Sequence, residues 1–446
     1  MSQMNLTEGS IYRRLLVFAV PYLLANFIQA LYGAVDMAVV GWFANAAGIS
    51  AVSVGSQVMQ IVTSLVSGLT MGGTILIANY FGAGRREDTS KTISTMLTLF
   101  SLAAVAFTAM MALCAHPILK ALKTPEEAYT QAYQYVIICT CGIIFIFGYN
   151  AVSAIMRGLG DSRSPLLFIS VACVSNIVLD LMLVGGLSMG AAGAALATAA
   201  SQAISLVMAV VYLRRHDFPF DFKLKSFRLS RDKARTLLRL GFPISLQECT
   251  VNLSFLIIAA IVNTLGVVPS AAVGIAGKFE GFAMLPASAF SAAIASMAAQ
   301  NMGAGRPERA RATLNAGVLS SLAAAVIFFA WAQAAPTSIM AIFRADPQVA
   351  AAGAEYLRAF SWDFLMVSFV FCMNGFLNGC GRTTFSMVNG VLSTLVARVP
   401  FAFLLSRIMA SSLFGVGLAA PLASFVSIVV GGVYIARGKW RGASLT

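Results

Sequence analysis

The chain has 446 residues, of which 59% are hydrophobic and only 11% charged, with a formal net charge of +13 and a mean hydropathy of +0.83. Soluble domains are roughly a quarter charged, so this composition argues against an ordinary soluble fold and places the chain in lipid. The two histidines lack metal-ligand spacing, and the seven cysteines lie almost wholly in apolar stretches, where they read as small packing residues rather than a metal site or disulfide framework.

The N-terminus, MSQMNLTEGSIYRRLLVFAVPYLL, sets two arginines before a long apolar run with no small-residue cleavage site. It reads as a retained first helix. Breaking the rest of the chain at glycine, proline and charged residues predicts twelve apolar helices, each long enough to cross a bilayer core. They cover 14–43, 50–81, 92–115, 128–156, 165–185, 190–213, 238–265, 270–302, 313–334, 355–377, 384–408 and 413–436. The longest polar segment, RRHDFPFDFKLKSFRLSRDKAR from Arg214 to Arg235, lies at the middle of the chain. The predicted organisation is a six-helix half over 1–213, a linker loop over 214–237 and a second six-helix half over 238–446.

The basic residues test the topology. Lys120, Lys123, Lys278, Arg344, Arg358, Arg398 and Arg407 fall in spans or alternate loops, leaving 23 of the 30 on or at the edge of one set of segments, with Arg14 and Arg239 among the first residues of their spans. That set is the N-terminus, the turns near 82–91, 157–163, 303–311 and 382, the central loop and the C-terminus. The positive-inside rule then puts both termini and the central loop in the cytoplasm. The basic excess is a topological signal, not a nucleic-acid footprint.

GAGRRED from Gly82 returns as GAGRPER from Gly303, RGLGD from Arg157 as NGCGR from Asn378, and Pro21 as Pro243, at offsets of 221, 221 and 222. Three landmarks in one order indicate a duplication. Each half has six spans, so the halves are predicted to be parallel repeats about an axis along the membrane normal.

Ionisable groups inside membrane helices cost about 2.5–3.5 kcal/mol even on lenient scales, so those present need partners, water or a task. Span 1 carries Tyr22, Asn26, Gln29, Gly33 and Asp36 at helical spacing, one polar stripe on one face. Span 5 sets Asn176 and Asp180 four apart, and span 6 does the same with Thr198 and Gln202. At 1.5 Å per residue, Asp36, Asp180 and Thr198 fall roughly 8–12 Å below the outer ends of their helices. Two carboxylates, an amide and a hydroxyl can coordinate a small cation or share a proton. The plainer alternative is a buried polar cluster that fixes helix packing.

The second half does not repeat this pair. It carries Glu248, Lys278, Glu280 and Asp363. Glu280, Asp363 and Glu248 are candidate substrate contacts, although Glu248 lies nearer the cytoplasmic end, where snorkelling or packing is the plainer alternative. Lys278 and Glu280, two apart, do not share a helix face. GIAGKF at 274–279 has the wrong spacing for a nucleotide-binding loop, so no nucleotide is expected and any work must come from an ion gradient or a partner.

With these residues in hand, the chain resembles the MATE family, the multidrug and toxic compound extrusion transporters. The resemblance rests on the long first span ending PYL…QALYGAVDM at Asp36, the NxxxD of Asn176 and Asp180, the duplicated GAGR turns and AAQNMGAGRPERA after span 8. It implies an all-α integral membrane protein of two six-helix lobes that exports drugs or other organic compounds, cationic and amphipathic ones foremost, in exchange for H⁺ or Na⁺. It implies no enzyme activity, no cofactor and a monomer in the cell membrane. Carried over by position, Asp36, Asn176, Asp180 and Thr198 match the family's cation site, and Gln29, Tyr32 and Asn150 match its cavity-lining polar positions. Glu248 falls about one turn early relative to Pro243 for the glutamate that one branch uses. The rival reading is a flippase for lipid-linked or amphipathic substrates, which calls for a larger, basic cavity.

Overall fold

Four glycines in the left-handed backbone region punctuate the chain in two pairs: Gly84 (φ 71°) with Gly305 (φ 67°), and Gly160 (φ 84°) with Gly381 (φ 76°). Each ends a helix with the same hydrogen bonds. The amide after the glycine reaches back five residues, Arg85 to Tyr80, Asp161 to Met156, Arg306 to Asn301 and Arg382 to Leu377. Only glycine enters this conformation without strain, so the repeated GAGR turn is a helix cap.

The structure, a computed structural model, describes residues 4–216, 218–220, 222–409 and 412–442; Asp217 and Asp221 of the predicted linker and both extreme ends lie outside the described residues. Among the described residues there is no β-strand. The helices are α1 Ile11–Phe43, α2 Ala46–Gly82, α3 Arg86–Ala121, α4 Glu126–Cys141, α5 Ile143–Gly158, α6 Arg163–Asp180, α7 Gly190–Arg214, α8 Arg231–Asn263, α9 Val267–Gly303, α10 Pro307–Ala334, α11 Pro336–Ile342, α12 Pro347–Gly379, α13 Thr383–Val391, α14 Val399–Ile408 and α15 Phe414–Ala436. π-helical turns over Leu181–Gly186 and Leu392–Arg398 continue α6 and join α13 to α14. Among the described residues, eleven helical segments are long and apolar enough to cross a membrane, or twelve if α4 and α5, bent by 46°, are counted as one span.

Several helices outrun their predicted bounds. Span 3 starts at Arg86 rather than 92, because Glu87 and Asp88 sit in its first turn, where carboxylates favour the helix N-terminus. Span 4 is broken at Gly142, which the sequence did not announce. Large apolar side chains point outward, among them Leu113, Val174 and Ile327, while Asp36, Asn176, Asp180, Glu280 and Asp363 are buried. A surface of that kind suits lipid tails.

The chain forms two compact units. Unit 1 holds Met1–Asn5 and Leu24–Gly241; unit 2 holds Leu6–Leu23 and Phe242–Thr446. The divisions fall within α1 and α8, close to Pro21 and Pro243. In unit 1 the first GAGR turn catches the start of α8: Lys233 Nζ lies 2.7 Å from Asp88 Oδ1 and donates to the Tyr80 hydroxyl at 2.6 Å. In unit 2 the second turn catches the segment before α1, with Arg306 donating to Thr7 O at 2.7 Å and Arg309 to Gly9 O at 2.8 Å. Each unit's core is held by small residues. Gly158 sits against Thr74 and Ile77 of α2, and Gly379, 221 positions later, against Ala295 and Ala298 of α9.

Candidate cation and substrate site

Unit 1 encloses a cavity of about 290 Å³ walled by α1, α2, α4, α5, α6 and α7. The polar stripe of α1 enters it through Gln29, Tyr32, Gly33 and Asp36; Asn150 arrives from α5, and Thr198 and Gln202 from α7. Tyr22 and Asn26 of the same stripe are not among the lining residues. The helix break at Gly142 belongs to this wall. A Cβ there would stand 2.9 Å from the Cβ of Ala199, so glycine lets the α4–α5 corner close onto α7.

Asp36 and Asp180 lie side by side, close enough to share a proton. Asp36 is 7% exposed, while Asp180 and Asn176, one turn apart on α6, are fully buried. Among the described residues, both oxygens of Asp180, Oδ1 of Asp36 and both side-chain polar atoms of Asn176 have no hydrogen-bond partner. No lysine or arginine among the described residues lines the cavity. Two carboxylates in such a place cannot both be charged without a compensating cation, since desolvation and mutual repulsion would each cost several kcal/mol, roughly. The residues fit a small cation or a proton, and their unsatisfied oxygens are the observation that says so.

Around the pair stand hydroxyls and amides. Tyr32 reaches Thr198, the Tyr135 hydroxyl lies 3.3 Å from Ser56 Oγ, and Asn150 Nδ2 donates to Ile146 O at 2.8 Å. Ser56 and Tyr135, which the sequence does not single out, also line this wall, as does Cys139, one of the cysteines that read as packing residues. On apolar spans an isolated serine or tyrosine looks like packing, and nothing in its spacing singles it out.

Unit 2 holds the other candidates. Asp363 lines a second cavity of about 80 Å³, together with Gln247, Asn374, Ser393, Arg398 and Ser424. Glu280 is buried nearby on α9, whereas Lys278 is exposed. The basic residue that acts on Glu280 is Arg398, which the residue count had grouped with loops and spans. Glu248 is exposed on α8 and does not line this cavity. By the 221-residue offset Asp363 corresponds to Gly142, so where the first half breaks its helix the second half runs α12 straight through and places an acid.

Comparison with known proteins agrees with this architecture. The family model MatE matches residues 21–182 and again 243–404, at the same spacing as the duplicated prolines. The chain is 28% identical to the probable multidrug resistance protein YpnP of Bacillus subtilis, covering 100% of this chain and 99% of that one. It is 26% identical to the probable multidrug resistance protein NorM of Thermotoga maritima, covering 97% and 93%. An FAD transporter of Shewanella oneidensis is 22% identical over 85% of this chain and 84% of its own. Among solved structures, MATE in complex with MaL6 superposes with a TM-score of 0.93 at 21% identity, covering 99% of this chain and 100% of that one. An outward-facing MATE transporter of the MOP superfamily superposes with a TM-score of 0.92 at 21% identity, covering 99% of both.

Proposed function

The chain belongs to the MatE family of multidrug efflux transporters, and from that premise we propose that it is a secondary antiporter exchanging organic compounds for H⁺ or Na⁺. The observation that carries the reading is the paired, unsatisfied Asp36 and Asp180 beside a cavity without a basic residue. In this account Asp36, Asp180, Asn176 and Thr198 hold the exchanged cation, and Gln29, Tyr32 and Asn150 form the polar wall that meets the exported compound. A cavity lined by Asp36, hydroxyls and amides, with Asp180 beside Asp36, favours an amphipathic cation. When the carboxylates are free, they attract the substrate's positive charge. When H⁺ or Na⁺ takes them, that attraction is gone and the substrate leaves. Such exchange requires the ion to bind one conformation better than the other.

The first half, 1–213, is read as the coupled lobe, with the linker 214–237 joining it to the second half, 238–446. The distribution of basic residues supports a plasma-membrane protein with both termini cytoplasmic. One chain supplies the whole cation site, which supports action as a monomer. Asp363 and Glu280 are read as internal polar groups of unit 2, because about 80 Å³ is well below the roughly 300–1,000 Å³ of drug-sized sites. Glu248 is assigned no part in the exchange. The acidic, rather than basic, cavity disfavours a flippase for phosphate-bearing lipids.

The experiment is transport by purified protein in vesicles, with pH and Na⁺ gradients imposed separately and a panel of cationic dyes. One of the two gradients should drive dye accumulation. Equal accumulation with neither gradient would end the antiport reading.

A further inference from the structure

Unit 2 buries three charged side chains where unit 1 buries a carboxylate pair. Glu280 on α9, Asp363 on α12 and Arg398 at the end of the π-helical turn Leu392–Arg398 are 4%, 3% and 8% exposed. Asp363 and Arg398 line the same small cavity, and Arg398 acts electrostatically on both acids. The guanidinium carbon stands 4.2 Å from the Phe255 ring centroid and 5.9 Å from that of Phe360. Aromatic faces hold a cation in this way. Among the described residues, Glu280 Oε1, Asp363 Oδ1 and Arg398 Nε each lack a hydrogen-bond partner, so the bonding of the group is incomplete. The other groups facing it are Tyr356 of α12 beside Glu280 and Ser424 of α15 beside Asp363, while α8 contributes the uncharged Gln247 and Phe255. Arg398 lies on the span that corresponds to the one carrying Asn176 and Asp180 in the first half.

We propose that Arg398 is a tethered cation which stands in unit 2 where an exchanged ion stands in unit 1, so that the second half takes up no ion and coupling is confined to Asp36 and Asp180. With the guanidinium in place at most one of the two acids is uncompensated, and any arriving cation meets a fixed positive charge. The inference rests on the reading of unit 1 as the ion site, and its test separates the two. Trp331 lies edge-on to Phe279, the neighbour of Glu280, with centroids 5.5 Å apart, and Trp362 precedes Asp363. Tryptophan fluorescence of the purified full-length protein therefore reports on this cluster, while Trp42, on α1 with Asp36, reports on the first site.

The titrations vary Na⁺ at fixed pH and pH at fixed Na⁺, in a D36N/D180N background that removes the first site. That background should be flat. Adding R398Q should create a new saturable cation response, which a further D363N removes and which R398K does not create. A background response abolished by D363N, or a folded R398Q that stays flat, would overturn the proposal. Should R398Q fold poorly, D363N must raise its melting temperature, because it removes the unpaired acid; equal or lower melting would also overturn it. If the wild type and D36N/D180N respond alike, the reading of unit 1 fails, and the comparison of R398Q with its background still decides the role of Arg398.

Discussion

Replacing Gly55 by alanine should reshape the cation cavity without touching any residue proposed to bind. Gly55 lies on α2 against the Tyr135 ring of α4, and an added Cβ would stand 2.2 Å from Cδ1, 2.8 Å from Cε1 and 3.1 Å from Cγ. Carbon contacts settle near 3.5–4.0 Å, so the ring must retreat by more than about 1 Å. That movement pulls the Tyr135 hydroxyl away from Ser56 Oγ, 3.3 Å distant, and shifts the wall facing Asp36. Overpacking costs about 1–3 kcal/mol, and the lost hydrogen bond about 1 kcal/mol more. The helix gains at most about 1 kcal/mol from exchanging glycine for alanine, so destabilisation wins. Thermal unfolding in detergent should show a lower midpoint, and equilibrium dye binding should weaken about fivefold, the equivalent of roughly 1 kcal/mol. A second change, Tyr135→Leu, should recover stability in the Gly55→Ala background while Tyr135→Phe does not. Unchanged melting and binding in Gly55→Ala, or recovery by Tyr135→Phe, would refute the steric reasoning.

Other substitutions test the scaffold. Gly84→Ala and Gly305→Ala force a Cβ into the left-handed region, at φ 71° and 67°, and should each cost about 1 kcal/mol in denaturation experiments, with asparagine better tolerated at both places. Gly375→Ala should cost more than Gly55→Ala, because its Cβ would meet the Ser291 carbonyl oxygen at 2.2 Å and backbone cannot swing aside as a ring can. Asp88→Asn weakens the pair with Lys233, whose side chains are 22% and 14% exposed. The loss should be about 1 kcal/mol or less and should shrink as salt is raised.

The fold was largely legible because its punctuation is chemical. Glycines at Gly84, Gly160, Gly305 and Gly381 are required by the backbone, so the duplication could be read from letters alone. Helix ends were less visible, since Arg86, Glu87 and Asp88 look like loop but belong to the first turn of α3. The bend at Gly142 was hidden, because a single glycine in an apolar run marks a break only when a neighbour such as Ala199 packs against it. In the proposed site, spacing singled out Asp36, Asn176, Asp180 and Thr198 as unusual for lipid, and their helices bring Asp36 and Asp180 together. Charge counting placed Arg398 within a span but could not show its burial beside Asp363, for a tally by segment carries no information about which side of a helix a residue occupies. Glu248 was the opposite case, an acid on a membrane span whose side chain is exposed.

The most direct test of the central claim is gradient-driven ethidium transport in vesicles by the wild type, Asp36→Asn and Asp180→Asn, beside ethidium binding to the same purified proteins. Both variants should remain folded, both should bind the cationic dye more weakly than the wild type, and both should lose the acceleration that the ion gradient gives the wild type. Accumulation by either variant at the wild-type rate under that gradient would contradict the account.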